Sequence, residues 1–228
     1  MMRVTHVPVL LSALALCASG ASLDRNQSPP PHDEVAAFAR YLVHDSSWTA
    51  MATLANRDPI NDYPFANIFS VSDGPVDSST GVPYMYLMPL ELSAIDLEKN
   101  DKASLTMTMA QVDETRSKTI MFGLHKQTKA LFLTCLLQGD YCEENNLDEQ
   151  DPRCAHIILT GKIVKIEKDT DEATTAREAL FSRHPDMEYW PEDHGWYFCK
   201  LDIENILLLN YFGGAINVPV DEYFNAQI

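Results

Sequence analysis

The sequence predicts a mixed α+β protein built around a β-barrel of about six strands with three flanking helices. Three observations lead there. Apolar and polar residues alternate with the period of a half-buried strand in segment after segment. Those segments neighbour one another in sequence and are separated by Gly/Pro/Asp/Ser turns such as "SDGPVDSSTGVP". Only three stretches carry helical spacing, so strands and helices do not alternate as βαβ units would require.

The order begins with an amphipathic helix. In "HDEVAAFARYLVHDS", Val35, Ala36, Ala39, Leu42 and Val43 share one face at helical spacing, and Asp33 stands where an N-cap is expected. "WTAMATLA" then sets Trp48, Ala50, Ala52 and Leu54 on one side of a strand and Thr49, Met51 and Thr53 on the other. "FANIFSVS", "YMYLM" and "ASLTMTM" read as further strands, with a short helix around Leu90, Ala94 and Leu97 between the last two. "AHIILTGKIVKIE" is a long strand or a bent pair. A helix is predicted from about Asp171 to Ser182, and "GWYFCKLDIENILLLNYFGG" is predicted to hold two more strands with a turn near Asp202 to Asn205. No internal repeat is visible.

With 228 residues, 46% of them apolar, 22% charged, and a mean hydropathy of -0.18, the chain has the composition of one globular domain. Its net charge of -16, with no clustered Lys and Arg, argues against nucleic acid and anionic lipid as partners. The N-terminus, "MMRVTHVPVLLSALALCASGAS", has a basic start at Arg3, an apolar run from Val7 to Ala18 and then small residues. Residues 1–21 therefore read as a secretory signal peptide, because the run falls short of the roughly 20 residues a membrane span needs. No other segment is long enough to cross a bilayer. A Pro-rich segment over residues 22–32 follows, carrying the sequon Asn26-Gln27-Ser28 in an extended setting that suits a glycan. The residues thus predict a secreted, extracellular or lysosomal chain.

An oxidising compartment changes the reading of the cysteines. Cys17 leaves with the signal, while Cys135, Cys142, Cys154 and Cys199 remain. Cys142 and Cys154 flank the turn-rich acidic loop "CEENNLDEQDPRC", and a disulfide between them would stabilise by roughly 3 kcal/mol in the chain-entropy model. The alternative is two free thiols. No second Cys or His pair stands at zinc spacing, so no metal site is assigned.

Catalytic candidates are thin. His184 and His194 in "RHPDMEYWPEDHGWYF" lie near carboxylates, but the spacing matches no metalloprotease pattern. Ser70 and Ser72 in "FSVSDG" are not in a nucleophile elbow. Cys199 in "WYFCKL" reads as a buried strand residue, since an activated thiolate needs a positive, accessible site. No catalytic residue is assigned.

The segments "SSWTAMATL", "PFANIFSVSDGP", "GVPYMYLMPLELSAIDLEKNDKASLTMTMAQ", "FSRHPDMEYWP" and "LLLNYFGGA", in this order, resemble the CREG family. Its members are secreted glycoproteins named as cellular repressors of genes switched on by an adenoviral early protein. The resemblance covers nearly all of Asp33 to Tyr223 and marks 33–228 as the family domain. It implies an FMN-binding-type split β-barrel, Greek-key-like, assembled as a homodimer and found outside cells or in lysosomes. It also implies links to growth restraint and differentiation, and uptake by a cell-surface or lysosomal sorting receptor through mannose-phosphate glycans. Family members generally carry several sequons within the barrel. Here Asn26 stands alone, which separates this chain from the mannose-phosphate expectation.

One block falls outside the resemblance. Removing residues 112–138 would join "TMTMAQ" to "GDYC" in the family's register. Valine codons begin with GT, and "ALFLTCLLQ" can be encoded by a pyrimidine-rich tract ending in CAG, so the block reads as a retained intron. The alternative is a genuine loop insertion, which costs little extra closure entropy.

The resemblance raises FMN as a cofactor. A flavin phosphate wants charge-assisted donors, yet residues 81–98 contain no Arg or Lys. Thr53, Ser93 and Ser104 are the candidate FMN-binding residues. They lack charge, and Glu91, Asp96 and Glu98 would oppose a phosphate unless Arg57, Lys99 or Lys102 reached in. The reading is therefore a non-catalytic protein without cofactor that acts through protein binding, with Tyr84 to Met88 and Tyr211 to Gly214 as the interface. Its rival is an FMN-dependent oxidoreductase of the pyridoxamine-phosphate-oxidase-like class, and a third reading is a lysosomal accessory factor.

Overall fold

The computed structural model describes residues 28–122 and 131–228, and side chains at all of these but 113–139. The signal peptide read over 1–21 and the sequon at Asn26 lie outside the described residues, as does the side chain of Cys135. Fourteen elements follow one another: α1 (Val35–Asp45), β1 (Trp48–Leu54), β2 (Pro64–Ser70), β3 (Tyr84–Leu87), α2 (Leu92–Lys99), β4 (Lys102–Thr108), β5 (Asp113–Phe122), β6 (Leu131–Asp140), α3 (Tyr141–Glu144), β7 (His156–Lys165), α4 (Asp171–Arg183), β8 (Tyr197–Leu209), β9 (Ile216–Asn217) and α5 (Val220–Asn225).

The main sheet runs β2-β1-β4-β7-β8-β3, antiparallel throughout, with β9 attached to β8. It curls into a split barrel. The six long strands and the helices α1, α2 and α4 are the elements the sequence predicts. The short helices α3 and α5, of four and six residues, add to them because one turn leaves no periodicity to read. β5 and β6 form a two-stranded sheet of their own, in a unit separate from the barrel.

Two expectations are corrected. The α1 cap position is Glu34, one residue after Asp33, and no side chain closes it; the cap carbonyl accepts from Phe38 N at 2.9 Å. The stretch from Asp202 to Asn205 is no turn, because β8 is one 13-residue strand. Thr160 pairs with Asn205 but Gly161 with Ile203, so Glu204 is an extra residue in a β-bulge. The polar run imitates a turn while only bending the ladder. Gly161 is what lets the bulge close, since a Cβ there would lie 1.9 Å from the Asp202 carbonyl oxygen.

Alternation along β1 buries Thr49, Met51 and Thr53 and leaves Trp48 and Leu54 each 39% exposed. The polar face is therefore the inner one at this strand. Met85, Leu87, Leu105, Met107, Ile157 and Leu159 complete the barrel core, and α1 covers it over β4 and β7. A second, smaller core joins Ala176, Ala179 and Leu180 of α4 to Tyr84, Ile166 and Met187. Cys142 and Cys154 form the expected disulfide, with Cα atoms 5.4 Å apart and a sequence separation of 12, buried beside Met109 and Val112. The chain leaves the barrel at Val112 and re-enters at Tyr141, whose N–H donates to the Val112 carbonyl at 3.0 Å.

Candidate functional site

The residues proposed for a flavin are not gathered at one place. Ser104 pairs with Ala52 across the β1–β4 ladder and so shares its outer face, whereas Thr53, next along the strand, points inward. Ser104 meets Thr160, with 3.1 Å between the hydroxyls. Thr53 Oγ1 donates to Asp96 Oδ2 at 3.0 Å. Ser93, in the first turn of α2, is fully buried, and its hydroxyl has no partner among the described residues.

Asp96 is the centre of this end of the barrel. Its carboxylate is fully buried and accepts from Thr53, from the Asn56 backbone N–H at 2.8 Å, and from Arg57 Nη1 at 2.6 Å. Arg57 in turn lies over the Phe65 ring, 4.2 Å from its centroid. Lys99 donates to Asn56 Oδ1 at 2.8 Å. The cleft beside them, lined by Leu54, Ala55, Asn56, Asp62, Lys99 and Asn100, has a volume of about 160 Å³. Cofactor sites usually need about 300–1,000 Å³. Arg57 Nη1 is committed to a buried carboxylate and Lys99 to an amide; Arg57 Nη2 has no partner among the described residues, but a cleft this small does not fit FMN within one chain.

A second polar centre escapes sequence reasoning altogether. Asp73 follows β2 and is fully buried. Its Oδ1 lies 2.6 Å from His44 Nδ1; its Oδ2 accepts from Ser79 Oγ at 2.5 Å and from the Gly81 N–H at 3.0 Å. Burial alone would raise this carboxyl, but His44, Ser79 and Gly81 together hold it below its ordinary value. Ser, His and Asp thus meet, though not as a nucleophilic triad. Ser79 donates to the aspartate, and His44 Nε2 faces the Val76 carbonyl at 3.0 Å, so no base touches the hydroxyl. Around this core Arg40 donates to the carbonyls of Tyr223 and Phe224 and to Ser79, and Arg183 donates to the carbonyls of Gly74 and His44.

The other sequence candidates are structural. His184 Nε2 sits 3.2 Å from the Val71 carbonyl, and burial depresses its pKa. His194 lies against Trp196, with ring centroids 6.3 Å apart. Ser72 is buried and bonds Gly74. Cys199 is buried, and burial pushes its thiol far up. Among the described residues no three His, Cys, Asp or Glu side chains gather as metal ligands would, and no helix is long and apolar enough to cross a membrane. Of the expected interface, Tyr84, Met85 and Leu87 are core, because β3 packs between β8 and α4; Tyr211 and Phe212 are exposed at 46% and 62%.

An antiparallel sheet of this order, curled and covered by helices, defines a split β-barrel protein. A family model described as "CREG, beta-barrel" matches residues 30–225. The chain belongs to the CREG family. It is 41% identical to Protein CREG1 of Gallus gallus over 96% of this chain and 100% of that one, and 38% identical to Protein CREG1 of Homo sapiens over 87% and 77%. It is also 35% identical to Protein CREG2 of Mus musculus over 98% of this chain and 67% of that one. A solved structure titled as a heme binding protein from Mycobacterium smegmatis shares the fold with a TM-score of 0.57 at 14% identity, covering 88% of this chain and 63% of that chain.

Proposed function

We propose that this chain is a secreted, extracellular or lysosomal glycoprotein that acts as a homodimer through protein binding rather than catalysis, in the growth-restraining role the family resemblance implies. The observation that carries the reading is the outer face of the main sheet. Cross-strand registers set Trp48, Ala50, Ala52 and Leu54 beside Pro64, Ala66 and Ile68 on one side and Ser104 and Thr106 on the other, with Ile158 and Thr160 beyond. In a chain of net charge -16 this run of the face carries no ionised side chain, while Ile68 stands 58% exposed and Ile158 37%. A partly apolar run free of ionised side chains lets two acidic copies meet without bringing their carboxylates together. The partner proposed for it is a second copy of this chain.

Sedimentation of the protein secreted from its full-length gene tests the dimer. A dimer at micromolar concentration that becomes a folded monomer in Ile68→Glu and Ile158→Glu supports the reading; a monomeric parent refutes it. Recovery from culture medium and a mobility shift on removal of N-glycans test secretion and Asn26 glycosylation. Titration of the same protein with FMN, followed by flavin fluorescence, decides the rival: saturable micromolar binding would put the oxidoreductase reading first.

A further inference from the structure

The aromatic run of "EYWPEDHGWYF" is only partly absorbed by the two cores: Tyr197 packs on the barrel core and Trp190 and Phe198 on the smaller one, all three staying half-buried. Trp196 and Phe198 stand two residues apart, on one face at the start of β8, and Tyr86 pairs with Phe198 across the ladder. Their rings stack: Tyr86 lies 4.7 Å from Phe198 and 5.2 Å from Trp196, with interplanar angles of 27° and 21°. Trp190 continues the array 4.6 Å from Trp196. Against it stands the entry to α4, and the two walls enclose a cleft of about 480 Å³, within the range of small-molecule sites.

The lining specifies what would fit. Tyr86, Trp196 and Phe198 offer aromatic surface, which wants an apolar face. Lys168 stands with Asp169 and Glu192, and Arg177 is already paired with Glu188 at 3.0 Å, so no cluster of one sign selects a phosphate or an ammonium ion. Lys168, Asp169 and Glu192 make no side-chain hydrogen bond or ion pair among the described residues, leaving donors and acceptors in one small space. A ligand that suits all of this has a C–H face for the rings and hydroxyls that both donate and accept.

We propose that this cleft binds a neutral pyranose ring, as a free oligosaccharide or as part of a glycan on another protein. The ring's C–H face lies along the aromatic array, and its hydroxyls meet Lys168, Asp169 and Glu192. The site lies on the β3–β8 side of the barrel and shares no residue with the Asp96 centre or the uncharged sheet face.

The test is ligand-observed NMR with the intact secreted protein and a panel of neutral disaccharides built from glucose, mannose, galactose and N-acetylglucosamine, with inorganic phosphate and tetramethylammonium alongside. Saturable binding of at least one disaccharide at millimolar concentration is expected. Trp196→Ala, which takes a ring out of the aromatic wall, should weaken it about fivefold to tenfold, the scale of one aromatic contact. Lys168→Ala and Glu192→Gln, on exposed side chains, should weaken it without loss of fold, and Ile68→Glu should leave it unchanged. Binding by none of the sugars, preference for phosphate or tetramethylammonium over all of them, or indifference to all three cleft variants would overturn the proposal. A glycan released from a bound glycoprotein should compete with its parent; recognition of the intact glycoprotein alone would likewise exclude a sugar site.

Discussion

Asp73 and Asp96 are both fully buried carboxylates, each with a hydroxyl, a backbone N–H and a basic side chain around it. They differ in what the partners are attached to. Those of Asp96 come from β1 and the turn after it, so the aspartate ties α2 to an adjoining strand, and the Arg57 side chain remains 23% exposed. Those of Asp73 sit on α1 and on the loop through Gly81, and this loop is held in turn by Arg40, by Arg183 at the end of α4, and by Tyr223 of α5, whose hydroxyl donates to the Gly81 carbonyl at 2.8 Å. Arg40, His44 and Tyr223 are themselves 5%, 8% and 0% exposed. Gly81, at φ 78°, completes the closure, since a Cβ there would press on the Arg40 guanidinium at 2.9 Å. The same charge can fasten two neighbours or lock four segments, and the number of elements that its partners and their own partners belong to decides which.

The largest expected effect is at the lock. Asp73→Ala leaves His44, the Ser79 hydroxyl and the Gly81 N–H without their acceptor and should cost about 3–5 kcal/mol in urea unfolding. Asp96→Ala should cost less, about 1–3 kcal/mol, because Arg57 can turn to water. Equal losses would erase the contrast between the two sites.

Acid should separate the lock from its surroundings. The pKa of His184 is lowered from 6.5 by burial, so as pH falls the unfolded chain takes up this proton first; stability is full above 6.5 and declines below it. Asp73 is lowered from 3.8, so its contribution persists above 3.8 and is lost only as pH falls through its lower folded value. The urea midpoint should therefore drop in two stages between neutral and strongly acid pH, and His184→Gln should flatten the first alone. A single drop untouched by that variant would show the assignment to be wrong. The smallest effect is at Ser93, whose buried hydroxyl has no partner among the described residues: Ser93→Ala should shift stability by less than about 1 kcal/mol, in either direction. A larger loss would mean that this hydroxyl carries the Asp96 centre after all.

What was legible in the sequence was whatever repeats locally. The alternation of β1, the spacing of α1 and the cysteine pair around an acidic loop each announce themselves within a dozen or so residues. Parity along a strand misled: Thr53 and Ser104 were grouped by chemistry, yet the register pairs Ser104 with Ala52 and turns Thr53 to the other side. The bulge at Glu204 imitates a turn in the sequence because its polar neighbours look alike in both settings. The Asp73 lock and the aromatic cleft were invisible for a common reason. Their members come from separate elements of the chain, as with Arg40 beside Tyr223 and Tyr86 beside Trp196, and no local pattern marks such meetings.

The hydrogen bond from Tyr141 to Val112 has a practical use. It brings the two ends of the 113–140 excursion together at a doorway already shut on the barrel side. To the barrel, whatever passes through that doorway is interchangeable cargo, since lengthening a loop whose ends already meet adds little closure entropy. For an engineer it is a socket: a fluorescent domain, an affinity tag or a short glycine turn can be plugged in at Val112 and Tyr141, and the barrel is expected to fold around the same latch.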